Sequence, residues 1–507
     1  MTSKNIFPKD LNNVHLHFVG IKGTGMVALV EICVSRGAII TGSDVAERFY
    51  TDEILENLNI KPTLFSSDNV TQDIDIVVYS AAYKLDENVE LIQATKLNIP
   101  CILYSDALGE ISSLAYSCGI AGVHGKTTTT GLVGTIIKEL NLPAQVLAGS
   151  AIKSFGNCTL SIGHKYFVAE TCEYQRHFMA FHPQNIILTS VESDHQDYYP
   201  TFEDIQNAFV DYGCLLPKNG NLIYCADDKG ATETAKIIKS KRDDINLIPY
   251  GFSAQGNYKI LYKMIPIGSV KQVFELGLHP GFKFELTVPG DHNVLNSAAA
   301  IALTQILLCN HYEKKDFSEF SAEEQTRFLE ATKKALESFT GSKRRSEIVS
   351  RFKNKNGLEC VVIDDYGHHP TAINTTINGI KSFYKNKYII VDFMSHTYSR
   401  TAALLDEFAS SFKWADEVIL HKIYSSAREN PADFPNISGK ILFKKTKSFN
   451  EGKKVSYFEE VLEATDYVTE LMNKPLPECY DGYVLVTMGA GDNWKLGRAV
   501  TDRFTNN

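Results

Sequence analysis

The stretch GIAGVHGKTTTTG, residues 119–131, sets a glycine-lysine pair ahead of four threonines and behind a short apolar run. The residues before it read as a strand, and TTTTGLVGTIIKEL (127–140) carries apolar residues at helical spacing. A glycine turn between strand and helix gathers unpaired N–H groups at the positive end of the helix dipole, which suits a phosphate. Gly122, Gly125 and Lys126 supply that turn. Lys126 would reach terminal phosphates, and the Thr127 hydroxyl could meet magnesium. The spacing departs from GxxxxGK[ST], because Ile120 stands where the first glycine belongs and Gly119 and Gly122 straddle it.

Working outward, VHLHFV (14–19), GIKGTGM (20–26) and ALVEICVSRG (28–37) read as strand, turn and helix. AIITGSD (38–44) and IDIVVYSAA (74–82) add strands, so a parallel α/β domain is expected over residues 1–110. GIKGTGM places Lys22 where GxGxxG needs glycine. A tight turn and a pyrophosphate site both stay open there; nicotinamide binding is disfavoured. A central domain, 111–342, holds the phosphate loop, strands at KYFVAE (165–170) and NIILTS (185–190), and helices near 292–308 and 321–339. In the last helix Ser321 and Glu324 have capping-box spacing, and Phe328, Thr332, Leu336 and Phe339 repeat as packing residues. After GSKRR (341–345), strands at LECVVIDDY (358–366), KYIIVDF (387–393), DEVILHKIY (416–424) and GYVLVTMGAGD (482–492) define a third α/β domain, 343–507.

The chain has 507 residues, 44% apolar and 22% charged, which fits several packed domains. A net charge of -9 argues against a broad nucleic-acid or acidic-membrane footprint. Ten scattered cysteines without a CxxC pair point to free thiols in a reducing compartment, the cytoplasm. The polar start MTSKNIFPKDLNN has no signal-peptide core, and AAAIALTQILL (298–308) is short for a membrane span.

Glu170 ends one strand and His195 follows another, both on the loop side of the sheet that carries Lys126. With Thr127 they form an oxygen and nitrogen set suited to Mg2+ or Mn2+. A pairing of Glu170 with Arg176, and a helix-capping role for His195, fit the spacing equally. DDYGHHPT (364–371) crowds acids and histidines at a strand end, but without HxxxH spacing or cysteines no zinc is expected there. Arg400 offers bidentate contacts to a carboxylate.

GIKGTGM, AGVHGKTTTTG, ETCEYQRHF, DHQDYY, GDHNVLNSAAAIA, GSKRR, DDYGHHPT, HTYSRTAALLDEF, SSARE and MGAGD run in one order along the chain. That ordered set resembles the Mur ligase family, the ATP-dependent amino-acid ligases of peptidoglycan synthesis. The resemblance implies an α/β chain of three domains: N-terminal Rossmann-like, central P-loop ATPase, and C-terminal Rossmann-like. It implies ligation of L-alanine to UDP-N-acetylmuramate through an acyl phosphate, with ATP and Mg2+ as cofactors (Mn2+ in substitution). A cytoplasmic monomer or homodimer is expected, with small-molecule substrates and no nucleic acid or membrane.

By the same resemblance the ATP contacts are Gly122, Val123, His124, Gly125, Lys126, Thr127 and Thr128, with Asn293, Asn296, Arg345 and Asp365. The metal ligands are Thr127, Glu170 and His195. The UDP-sugar residues are Gly23, Gly25, Asp44 and Ser80, and the amino-acid pocket is Tyr366, His368 and Arg400. Lys126, His195 and His368 are the implied catalytic groups. This chain has ETCEYQ where some relatives carry EADESD, and Thr397 where they carry a second arginine, so Glu173 and Thr397 take no role from the resemblance.

Overall fold

The computed structural model describes residues 6–49, 51–156, 158–196, 198–266, 271–425 and 429–505. Parts of three motifs or segments, residues 1–5 of the N-terminus, 197 of DHQDYY and 426–428 of SSARE, lie outside the described residues.

The first sheet comprises β1 (His15–Val19), β2 (Ile39–Ser43), β3 (Ile76–Tyr79) and β4 (Cys101–Leu103), in the order β2-β1-β3-β4, all parallel. The order reverses between β1 and β3, and a crevice at such a point is where open α/β sheets bind ligands.

The second sheet has ten strands. They are β5 (Tyr116–Ala121), β6 (Ala144–Leu147), β7 (Thr159–Ser161), β8 (Tyr166–Glu170), β9 (Asn185–Leu188), β10 (Asn221–Cys225), β11 (Asn246–Gly251), β12 (Tyr258–Met264), β13 (Gln272–Leu276) and β14 (Phe284–Leu286). Their order is β14-β13-β12-β11-β10-β9-β5-β8-β6-β7, which puts β5 between β9 and β8. The parallel core strand β5 is covered on both faces, and five of its six residues are buried.

The third sheet comprises β15 (Glu347–Lys353), β16 (Glu359–Asp365), β17 (Lys387–Phe393), β18 (Glu417–Leu420), β19 (Lys454–Tyr457) and β20 (Gly482–Met488), in the order β15-β16-β20-β17-β18-β19. Only β15 pairs antiparallel. The expected strand at 416–424 stops at Leu420, and the one at 482–492 stops at Met488, where a glycine turn begins at Gly489 (φ 135°).

Helix Asp291–His311 is longer than the apolar stretch seen in the sequence. It is long and apolar enough by length and composition to cross a membrane, but 83% of its apolar window is buried inside the fold, so it serves as the central domain's core helix. Helix Ala322–Ser338 begins with the expected Ser321–Glu324 capping box, with Phe328, Thr332 and Leu336 buried and Phe339 at its C-cap. None of the ten cysteines forms a disulfide, and six are buried.

The first two sheets share one apolar core, in which Ile102, Leu108 and Ile111 join Phe178 and Phe181. Gln145 seals the same boundary by accepting from Arg36 Nε (2.8 Å) and donating to Ser35 Oγ (2.7 Å). The third sheet has its own cores on its two faces, because alternate residues such as Val361 and Val362 point to opposite sides. Where it meets the central domain at the site, the contacts include ion pairs and hydrogen bonds such as Arg400 to Asp194 and Thr371 to Glu192.

Candidate functional site

The phosphate loop leaves the carboxyl end of β5 and enters helix Lys126–Leu140. Its two turns need glycine. Gly122 has φ 132° and Gly125 φ 85°; a Cβ on the first would lie 2.1 Å from Thr189 Oγ1, and on the second 2.8 Å from Asn296 Oδ1. The His124 N–H donates to Ser190 Oγ (2.9 Å), which ties the loop to the segment after β9.

Lys126 folds back onto the loop. Its ammonium donates to the Gly122 carbonyl and to both oxygens of Glu173 (2.9 and 3.2 Å). Burial alone would lower its pKa, but the Glu173 and Glu170 carboxylates outweigh that and hold it above its ordinary value. Glu173 is 2% exposed. Burial opposes its charge, yet Lys126 and His195, whose Nε2 lies 3.4 Å from its Oε1, keep it ionised below the usual carboxylate range. Glu173 was not assigned from the sequence. Its signal was present in ETCEYQ, three residues after Glu170, but nothing along the chain says that it meets the loop lysine.

Glu170 does not pair with Arg176, which bonds Asp211 at 2.6 Å. Its Oε2 accepts from Thr127 Oγ1 (2.8 Å) and from the Gly149 N–H (3.0 Å). A Cβ on residue 149 would stand 2.5 Å from that oxygen, so the backbone closes tightly around the pair. Hydroxyl and carboxylate oxygens in contact beside a phosphate loop are a donor set that fits Mg2+. His195 does not cap the next helix, whose N-cap is Thr201. It holds a left-handed backbone (φ 53°), a strained conformation for a histidine, and turns its ring to Glu173 and Asp194.

The cavity over the loop is walled by two domains. Gly125, Lys126, Thr127, Glu170, Asn293 and Asn296 line it from the central domain, and Arg345, Asp365 and His368 from the C-terminal domain. Val123, His124 and Thr128 also line it. Asn293 donates to the Pro289 carbonyl (2.6 Å) and lies one helical turn from Asn296. Asp365, 5% exposed, binds the Ser346 N–H (2.7 Å) and the Gly367 N–H (2.7 Å), which fixes the turn that carries Arg345 and His368. Among the lining residues missed in the sequence are Glu192, Asp194, His292, Tyr250 and Asp228. The last two follow or end strands that only the sheet order brings to this wall.

His195, Tyr366 and Arg400 are absent from that wall among the described residues. Arg400 is 9% exposed and donates from Nε (3.2 Å) and Nη2 (2.8 Å) to Asp194 Oδ1 and from Nη1 to the His396 carbonyl (3.0 Å). Burial resists the Asp194 charge, but Arg400 and His195 hold its carboxyl far below the usual range. Tyr366 lies under the Arg344 and Arg345 guanidinium groups, each 5.2 Å from its ring centre. His368 is pushed well below its ordinary pKa by burial and then by Arg400, and its Nδ1–H donates to the Tyr366 carbonyl (2.9 Å). Its Nε2 therefore keeps a lone pair.

The four expected UDP-sugar residues gather at the carboxyl ends of β1, β2 and β3. Gly23 is the N-cap of helix Thr24–Ser35, Gly25 lies in its first turn against Tyr104, and Asp44 follows β2. Ser80 follows β3 and donates its N–H to the Val19 carbonyl (3.1 Å). Lys22 contributes a backbone N–H to Asp44 (2.7 Å), while its ammonium pairs with Asp52 at 3.1 Å.

Family models match each sheet in turn: "Mur ligase family, catalytic domain" over residues 15–116, "Mur ligase middle domain" over 120–304, and "Mur ligase, glutamate ligase domain" over 344–491. A UDP-N-acetylmuramate--L-alanine ligase of Treponema pallidum is 45% identical over 503 residues, covering 99% of both chains. One of Borreliella burgdorferi is 39% identical, covering 96% of this chain and 98% of its own. The solved UDP-N-acetylmuramate-alanine ligase of Thermotoga maritima superposes with a TM-score of 0.71 at 25% identity, covering 97% of this chain and 100% of its own. Three domain models in sequence order, a relative of nearly half identity from end to end, and a phosphate loop facing a two-domain cavity lead to one conclusion: the chain belongs to the Mur ligase family.

Proposed function

We propose that this chain joins L-alanine to UDP-N-acetylmuramate at the expense of ATP, through an acyl phosphate, as a step of cytoplasmic peptidoglycan precursor synthesis. The observation that carries the reading is the single cavity in which Lys126, Thr127 and Glu170 face Arg345, Asp365 and His368 across two domains, in a chain so similar to named alanine ligases.

A carboxylate has no leaving group for an amine to displace, and ATP supplies one by phosphorylating it. Bringing that carboxylate to the γ-phosphate costs about 4 kcal/mol per like-charge pair near 4 Å at an effective dielectric of 20, or roughly a thousandfold in rate. Lys126 offsets that repulsion once its ammonium turns from Glu173 to the phosphates. Glu173 keeps the lysine charged and aligned until then. Thr127, Glu170 and His195 would hold Mg2+, or Mn2+ in its place; the ion supplies positive charge to the phosphate oxygens. Asn293 and Asn296 serve the adenine, and Arg345 and Asp365 complete the nucleotide contacts from the C-terminal domain.

The sugar nucleotide lies on the first sheet, over Gly23, Gly25, Asp44 and Ser80. Tyr366, His368 and Arg400 form the alanine pocket. Arg400 takes the amino-acid carboxylate, with Asp194 fixing its guanidinium. His368 is neutral at pH 7 and accepts the amine proton at Nε2, but its low basicity means that the proton passes on quickly. The polar cleft allows the C-terminal domain to close and keep water from the acyl phosphate.

The test is ADP release with UDP-N-acetylmuramate and each amino acid in turn. Release that requires alanine supports the reading. Release that requires a murein tripeptide moves the chain to a recycling role, and release indifferent to both substrates defeats ligation. Oxygen-18 placed in the muramyl carboxylate should appear in the liberated phosphate.

A further inference from the structure

His369 was given no metal partner by its spacing in the sequence, yet the fold brings it to one. His124 belongs to the phosphate loop, Glu192 follows β9, and His369 caps helix Pro370–Phe383 of the C-terminal domain. Each offers one ligand atom, and these atoms lie within 4.8 Å of one another. His124 Nε2 is 3.6 Å and His369 Nδ1 3.9 Å from the same oxygen, Glu192 Oε2.

Those separations are too long for hydrogen bonds. The Glu192 oxygen is bonded instead by Thr371 Oγ1 at 2.9 Å, and among the described residues the hydrogen bond to the His369 ring is a long one, 3.4 Å, from the Thr371 N–H. The Nε2 atoms of both histidines are buried without a partner, and His369 is 7% exposed. A buried ring nitrogen left unpaired beside a carboxylate, as His124 Nε2 is, is costly as it stands. Ligand atoms about 2.1 Å from a tetrahedral ion stand roughly 3.4 Å apart, close to two of these separations.

We propose that His124, Glu192 and His369 hold one divalent transition metal of the zinc class, separate from the magnesium position at Thr127 and Glu170. Two imidazoles and one carboxylate are a donor set for zinc; the hydroxyl and carboxylate at the other position suit magnesium. Three protein ligands leave a fourth position, and all three residues line the nucleotide cavity, so that position opens toward it. The ion joins the phosphate loop to the C-terminal domain and favours the closed cleft, since two ligands come from one domain and the third from the other. This site does not rest on the identity of the amino acid ligated.

Metal-stripped protein is titrated with Co2+ and then Zn2+, without nucleotide. One Co2+ should give the visible absorption of a four-coordinate nitrogen and oxygen site, and Zn2+ should displace it. His369→Asn and Glu192→Gln should each weaken Zn2+ binding about a hundredfold or more, and Glu170→Gln should leave it intact. X-ray absorption of the Zn2+-loaded wild-type protein, which needs no variant, should count two imidazoles. Wild-type protein that takes up no Co2+, uptake unchanged in folded His369→Asn, loss in Glu170→Gln, or fewer than two imidazoles on zinc each overturns the proposal.

Discussion

Arg400 and Asp194 form a nearly buried pair across the cleft, with the arginine 9% and the aspartate 5% exposed. Removing one partner of such a pair leaves a charge in a poorly solvated place, which costs about 3–5 kcal/mol. Arg400→Ala should therefore lose about that much stability in urea denaturation, and Asp194→Asn combined with Arg400→Ala should regain most of it. If Arg400 also holds the alanine carboxylate, the double variant keeps a high KM for alanine after stability has returned; an unchanged alanine dependence defeats that assignment. At this scale the sequence was informative where one residue's chemistry is local. Lys126 and Thr127 sit together on one turn because they are adjacent in the chain. Glu173 and Asp194 escaped because their partners, Lys126 and Arg400, are 47 and 206 residues away.

Elements place these residues through one recurring device, the carboxyl end of a parallel strand. Glu170, the phosphate loop and Glu192 leave the neighbouring strands β8, β5 and β9, while Tyr366 and His396 follow β16 and β17. Helix Tyr104–Ser113 packs on the turn Tyr174–Ala180, the segment that follows Glu173, through Gly109. A Cβ there would lie 2.2 Å from the Ala180 carbonyl oxygen, a backbone atom that cannot swing aside. Gly109→Ala should destabilise by about 1–3 kcal/mol, read by chemical denaturation; a loss under about 0.5 kcal/mol would mean that the contact yields. The parallel strands β4, β6, β10, β11 and β19 were not assigned, but the other parallel strands were legible from their apolar runs. The antiparallel strands β12 to β14 were not, because β12 is broken by a register shift between Ile260 and Tyr262 and exposes Leu261, Tyr262 and Met264. Such a strand lacks the clean alternation that periodicity detects.

Across the whole molecule, buried histidines make stability sensitive to acid. His279 is pushed down to about 4 by burial, although the Gln305 amide, 2.8 Å away, opposes the shift. An unfolded histidine titrates near 6.5, so between about pH 6.5 and 4 the unfolded chain binds the extra proton. The contribution is thus fully present above pH 6.5 and lost as pH falls through 4. It is worth at most about 3 kcal/mol, and about 2 after solvent screening. His368 and His369 are lowered in the same direction by burial. Urea midpoints measured from pH 7 to 4 should fall, and His279→Asn should flatten part of that slope; a slope unchanged by the substitution would place the acid sensitivity elsewhere. By itself the sequence determined the α/β class, the phosphate loop and the ordered motifs, since hydrophobic period, glycine turns and adjacent charges act over a few residues. Tertiary structure alone decided that Glu173 holds Lys126, that Asp194 occupies Arg400, and that His124, Glu192 and His369 converge. Those contacts join groups far apart in the chain, and the reason they meet is the order of strands in the sheets and the packing of one domain on another, which no local pattern encodes.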